Sequence, residues 1–208
     1  MNLNVDAFFA QLSIGELADL ELGATGEGYI LDPNLDRIVL AANSGLTMLH
    51  NRYLLKELKF ELKGIEGVLD YQLNLPNFIS MLSVWAINNQ CSLVINDANA
   101  QNGVNLVGSS KIKVPFVDDF ELTYKANHPM IKKSNLNVRL DIPDTLLDVL
   151  ALYINHAVRK SMGTEDMLLK ANDAYARMNL ILVELDNQNA LHNSRLENNN
   201  KFAMNGWV

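Results

Sequence analysis

The chain has 208 residues, of which 49% are hydrophobic and 20% charged, and its 24 acidic against 17 basic side chains leave a formal charge of −7. These values describe an ordered globular protein with room for a real core, and they exclude global disorder and low complexity. An acidic chain without a Lys/Arg cluster is also a poor nucleic-acid binder, since such binding draws on counterions released by basic side chains.

No apolar run reaches the ~20 residues that a membrane helix needs, and MNLNVDAFF lacks a basic segment ahead of an apolar stretch, so the sequence predicts synthesis and retention in the cytoplasm with no membrane partner. Cys91 is the single cysteine, which excludes an intrachain disulfide. Charge is unevenly placed: Asp6, Glu16, Asp19, Glu21, Glu27, Asp32 and Asp36 all precede Arg37, the first basic residue. That surplus suits a surface that repels phosphate, such as a conduit for DNA.

In chain order, residues 3–12 carry apolar side chains at helical spacing and predict a short amphipathic helix. The glycine-rich GATGEG (23–28) lacks the Lys-Ser/Thr of a phosphate loop and the strand that precedes a dinucleotide turn, so it reads as a loop. Asp32-Pro33 is a helix start, and Leu35, Ile38, Ala42, Leu46, Leu49 and Tyr53 recur every three or four residues, predicting a helix over 33–53 with Gly45 as a weak point.

The period then changes. LKELKFEL (55–62) and VLDYQL (68–73) alternate, with Gly64 and Gly67 between them, and predict a hairpin. Residues 77–89 have a mixed period. CSLVIND (91–97), KIKVPF (111–116) and LNVRLDI (136–142) predict further short strands, so residues 54–142 form a β-rich segment. Pro143 reopens a helix over 143–161, apolar almost all round. SMG stops it and Thr164 caps a helix over 165–189, whose stripe Leu168, Ala171, Tyr175, Met178, Leu182, Leu185 predicts a packing seam against its predecessor. From Asp186 the composition turns Asn-rich, yet Phe202, Met204 and Trp207 remain, which suits a tail that folds onto a partner.

Candidate chemistry is sparse. His50, His128, His156 and His192 have no metal-ligand spacing among themselves. His156 reads as a core histidine, and His50 sits near a helix C-terminus. Asp118, Asp119 and Glu121 are the one tight carboxylate group and could serve a metal-dependent enzyme, although VDDFEL also suits a turn with a charged edge. A monomeric small-ligand binding module is a further alternative, and it would need a preformed apolar cavity. Nothing in these patterns calls for a cofactor or a bound metal.

Taken in order, AQLSIGEL (10–17), NRYLLKELKFEL (51–62), GVLDYQL (67–73), a proline-led helix and a long last helix before a tail resemble the podovirus head-to-tail adaptors, the tail tubular protein A-type family. Two departures stand out: Ile14 follows Leu12 by only two residues, and Tyr53 stands where a Trp is often found. The resemblance implies a non-catalytic virion structural protein. It would form a homo-oligomeric ring of about twelve subunits between the portal protein and a tail tube or nozzle protein, with DNA passing through the lumen without sequence-specific binding. The expected fold is α+β: an antiparallel helical bundle (helices 3–12, 33–53, 143–161 and 165–189) with a β-rich insertion of short antiparallel strands, 54–142. Residues 1–190 would be one adaptor domain and 191–208 an extended tail. Phe202, Met204 and Trp207 would dock on the portal, and Glu16, Asp19 and Glu21 would face the channel or a neighbouring subunit.

Overall fold

A computed structural model describes residues 3–20, 30, 32–96 and 102–188. The chain divides into two compact units, Met1–Gly45 with Lys133–Val208 and, inserted between them, Leu46–Lys132.

In the first unit, α1 (Val5–Ile14) begins where the Asn4 side chain accepts the Ala7 N–H at 2.8 Å, satisfying one of the donors that a helix start leaves open. A short 3₁₀ turn, Ala18–Leu20, follows. α2 (Asp32–Arg52) starts in this unit and continues into the second. Gly45, a weak point by helix propensity, has a packing reason: a Cβ there would lie 2.7 Å from Leu150 Cδ1 and 2.9 Å from Tyr153 Cδ1, so only glycine permits this approach to α3 (Leu147–Met162). The Thr164 hydroxyl accepts the Met167 N–H and caps α4 (Glu165–Asn187). α4 packs along α3 through Ala171, Ala174, Met178, Leu182 and Leu185, which are buried, while Leu168 and Tyr175 of the expected seam stay largely exposed.

Among its described residues the second unit holds seven strands: β1 (Glu57–Leu62), β2 (Asp70–Gln72), β3 (Phe78–Ala86), β4 (Cys91–Ile95), β5 (Gly103–Val107), β6 (Lys111–Lys113) and β7 (Phe120–Ala126). They form one curled sheet in the order β1-β7-β3-β4-β5-β6-β2. Pairing is antiparallel except between β4 and β5. β7 sits between β1 and β3, and its alternate residues Phe120, Leu122, Tyr124 and Ala126 point into a core shared with Val84, Ala86, Leu93, Val104 and Ile112. The last turns of α2 are tied to the end of β7: Asn127 Nδ2 donates to Thr47 Oγ1 at 2.9 Å and Lys125 Nζ to the Asn51 carbonyl at 2.8 Å.

The architecture corrects the expected one. The chain is a mixed α/β fold, 44% helix and 25% strand among the described residues, built on a half-barrel-like seven-stranded sheet with two C-terminal helices, and not an α+β helical bundle with inserted short strands. The hairpin expected from 55–62 and 68–73 does not form either. β1 pairs with β7 and β2 with β6, at opposite ends of the sheet order, because both strands find their apolar partners far along the chain. LNVRLDI is not a strand of the sheet. It is extended backbone bonded to the start of α1, with an isolated bridge between Asn4 and Arg139 and bonds from Val5 N–H to the Val138 carbonyl and from Leu140 N–H to the Leu3 carbonyl. Among the described residues no helix is long and apolar enough to cross a membrane.

Candidate functional site

The densest polar arrangement in the first unit begins at the corner after α1. Gly15 N–H closes the helix on the Gln11 carbonyl at 2.9 Å, and the Leu17 N–H bonds back to the Leu12 carbonyl at 3.0 Å while its side chain is fully buried. Leu17 therefore anchors a tight turn whose neighbours, Glu16 and Asp19, project toward α3 and α4. Facing them is Arg159, buried on α3. Its guanidinium takes Asp19 in a two-pronged bond, with Nη1 donating to Oδ2 at 3.1 Å and Nη2 to Oδ1. Nη2 also donates to the Glu16 carbonyl at 3.2 Å, and Nε donates to Asn155 Oδ1, one helical turn earlier. Asn155 passes the connection on, Nδ2 donating to Glu16 Oε2 at 2.8 Å. Arg177 reaches Glu16 Oε1 at 3.0 Å, and Lys170 reaches Asp19 Oδ2 at 3.3 Å and Asp166 at 3.1 Å.

This connectivity sets the electrostatics. Hydrogen bonding from Arg159 pulls the Asp19 pKa down to about 2 against the opposing effect of partial burial, with Lys170 assisting. The bonds to Asp166 and then Asp19 raise the Lys170 pKa. Asp19 is thus a fixed anion, and Glu16 has both carboxylate oxygens bonded. An open cleft of about 570 Å³ lies beside the network, lined by Gly15, Glu16, Asn155, Arg159, Leu169, Lys170, Asp173 and Arg177. Its charges neutralise one another, which makes the network a brace between the α1 corner and the α3–α4 pair.

The acidic group in the second unit is braced differently. Asp118 is buried, and its oxygens accept three backbone N–H bonds, from Asn88 at 3.0 Å, Asn89 at 3.0 Å and Asp119 at 2.6 Å. Burial alone would raise its pKa, and the N–H bonds from Asn89, Asn88 and Asp119 outweigh that and lower it. Asp119 Oδ1 accepts the Gly64 N–H at 2.9 Å, and a Cβ on Gly64 would collide with the Asp118 carbonyl. Glu121 lies on β7 and pairs with Lys59 at 2.8 Å. The three carboxylates serve the β3–β4 turn, the loop after β1 and a strand pair respectively, and do not converge on one point. Among the described residues no group of three His, Cys, Asp or Glu side chains could hold a metal ion.

Of the other expected site residues, Glu21, Phe202, Met204 and Trp207 lie outside the described residues, as does GATGEG. His156 Nδ1 is 2.9 Å from the Ala171 carbonyl and its ring packs 5.0 Å from that of Tyr175, so it is satisfied, but it is half-buried at the edge of the α3–α4 pair and not the core histidine expected. Sequence reasoning did not single out Asn155, Arg159, Lys170 or Arg177. A signal was present: Arg159 falls seven residues after Leu152 on a helix that reads as apolar almost all round, and an arginine on such a face has to be paired if it is buried.

One further surface stands out on α4. Opposite its buried stripe, Leu169 is 66%, Leu180 71% and Val183 54% exposed, and with exposed Ala176 they line one face at spacings of seven, four and three residues. Compared with known proteins, the chain matches no family model and no curated protein.

Proposed function

We propose that this chain is a virion structural protein of the head-to-tail adaptor type, whose identical subunits assemble as a ring on the portal and offer a platform to a tail tube or nozzle protein. The observation that carries this reading is the outer face of α4. A helix needs one apolar stripe to join its own core, and α4 has a second, formed by Leu169, Ala176, Leu180 and Val183. Side chains of this size left in solvent on a long, capped and braced helix suit a subunit that completes its packing only in an assembly.

The brace adds support. An adaptor has to transmit load between rings, and the Glu16–Asn155–Arg159–Asp19 connection locks the α1 corner to α3 with bonds that are short and multiply shared. Since Glu16 and Asp19 are spent on internal cations, a lumen that repels DNA draws on the rest of the acidic surplus. Under this reading Phe202, Met204 and Trp207 dock on the portal, each tail binding weakly and the ring of tails binding through avidity. The test is co-sedimentation with the portal ring. Wild type should join it, and a protein lacking 191–208 should stay folded and fail to join. Normal binding by the truncated protein, or no binding by wild type, would overturn the assignment.

A further inference from the structure

The edge of the sheet at β1 carries a pattern that the adaptor reading does not use. β1 is the last strand on its side of the order, paired only with β7 among the described residues. The Ala126 N–H donates to the Lys56 carbonyl at 3.0 Å, and antiparallel ladders alternate. Even-numbered residues of β1 therefore turn their backbone groups to β7, and Glu57, Lys59 and Glu61 turn theirs to the outer edge. The side chains alternate as well: Leu58, Phe60 and Leu62 face the apolar core, leaving Glu57, Lys59, Glu61 and the following Lys63 on the other face.

Glu-x-Lys-x-Glu-x-Lys reads as its own complement when reversed. We propose that β1 pairs antiparallel with β1 of a second copy of this chain, about a two-fold axis at Phe60. In that register Glu57 stands opposite the partner's Lys63, Lys59 opposite the partner's Glu61, Leu58 opposite the partner's Leu62, and Phe60 opposite the partner's Phe60. The residues facing the outer edge meet residues of the same kind, as an antiparallel ladder requires. Slipping by two residues one way sets Lys59 against Lys59 and Glu57 against Glu61. Slipping the other way sets Glu61 against Glu61 and Lys59 against Lys63. Charges on an edge strand ordinarily block pairing, and here they block the neighbouring registers while favouring one.

The chain also supplies a local reason. Glu61 lies directly opposite Glu121 within the sheet, and Lys59, 2.8 Å from Glu121, answers one of those two like charges. The partner's Lys59 would answer the other. The contact is isologous, so it describes a two-fold pair of the free protein and stands apart from the head-to-tail contacts of a ring.

Sedimentation velocity on the full chain tests this, with circular dichroism confirming that each variant is folded. Wild type should show a monomer–dimer equilibrium that weakens with salt. Lys59→Glu and Glu61→Lys should each weaken the dimer about tenfold or more, because the two-fold axis makes each substitution act twice. Mixing the two single variants should restore a dimer, since every charge then meets its opposite, and the double variant Lys59→Glu/Glu61→Lys should dimerise by itself. A wild type that stays monomeric, a dimer or larger assembly that neither single substitution weakens, or a mixture that fails to restore pairing would overturn the proposal.

Discussion

The two acidic clusters are spent on structure in different ways. Asp118 is held by backbone N–H groups, so what it stabilises is loop conformation: the turn after β3, with Asp119 doing the same for the loop at Gly64. Asp19 is held by side-chain cations, so what it stabilises is packing between the α1 corner and two helices. A carboxylate held by amides is bonded wherever the backbone folds. A carboxylate held by Arg and Lys depends on other side chains staying in place and ionised.

Between the two clusters, the larger expected effect lies in the amide-held one. Asp118→Ala removes a buried carboxylate that accepts three backbone N–H bonds from the exposed β3–β4 turn and from Asp119, and should cost about 3 kcal/mol in a denaturant melt. Asp118→Asn, which keeps an acceptor oxygen, should recover part of that. If Ala and Asn cost the same, the charge and not the acceptor geometry holds the turn. Arg159→Met ranks next, at about 2–3 kcal/mol, because it strands the Glu16 carbonyl and Asn155 while Asp19 can still turn to water. A loss within about 0.5 kcal/mol of wild type would show the brace to be decorative.

Acid titration separates the clusters further. A carboxylate whose pKa is lower in the folded state stabilises the fold above its unfolded value, and that stabilisation disappears as pH falls through the folded value. For Asp19 the window runs from 3.8 down to about 2. Since its side chain is about half exposed, the stability at stake is discounted to roughly 1 kcal/mol. Arg159→Met should therefore flatten the melting curve's pH dependence between those limits, whereas Asp118→Asn should remove a separate share of acid sensitivity. An Arg159→Met protein with the wild-type slope would break the assignment of that window to Asp19. Smallest of all should be Lys170→Met: its ammonium is exposed and Arg159 already holds Asp19, so the melt should be indistinguishable from wild type.

The same contrast explains what could be read from the sequence. Helices were legible because their signals are local, as with the Thr164 cap and the period of Ala171, Met178, Leu182 and Leu185. Strand pairing was not, because whether 57–62 meets 70–72 or 120–126 depends on contacts across more than fifty residues. FELTYKA was hidden for a related reason: the carboxylates of VDDFEL drew attention as chemistry, while the inward alternation of Phe120, Leu122, Tyr124 and Ala126 marked a central strand. Gly64 read as a hairpin turn residue, and its constraint is a neighbour fifty-four positions away. The brace was half legible, since Glu16 and Asp19 stood out by charge and their partners sat on helices read only for apolar content.

The adaptor reading rests most directly on α4's outer face, and Leu180→Glu probes it without touching the core. Leu182, one of the buried residues beside it, is the internal control: Leu182→Ala should cost about 2–5 kcal/mol of stability. Leu180→Glu should leave the melt within about 0.5 kcal/mol of wild type. Electron microscopy of portal rings mixed with each protein then gives the deciding result. The account predicts an added ring of density with wild type and bare portal with Leu180→Glu. An equally complete ring with Leu180→Glu, or bare portal with both, would contradict it.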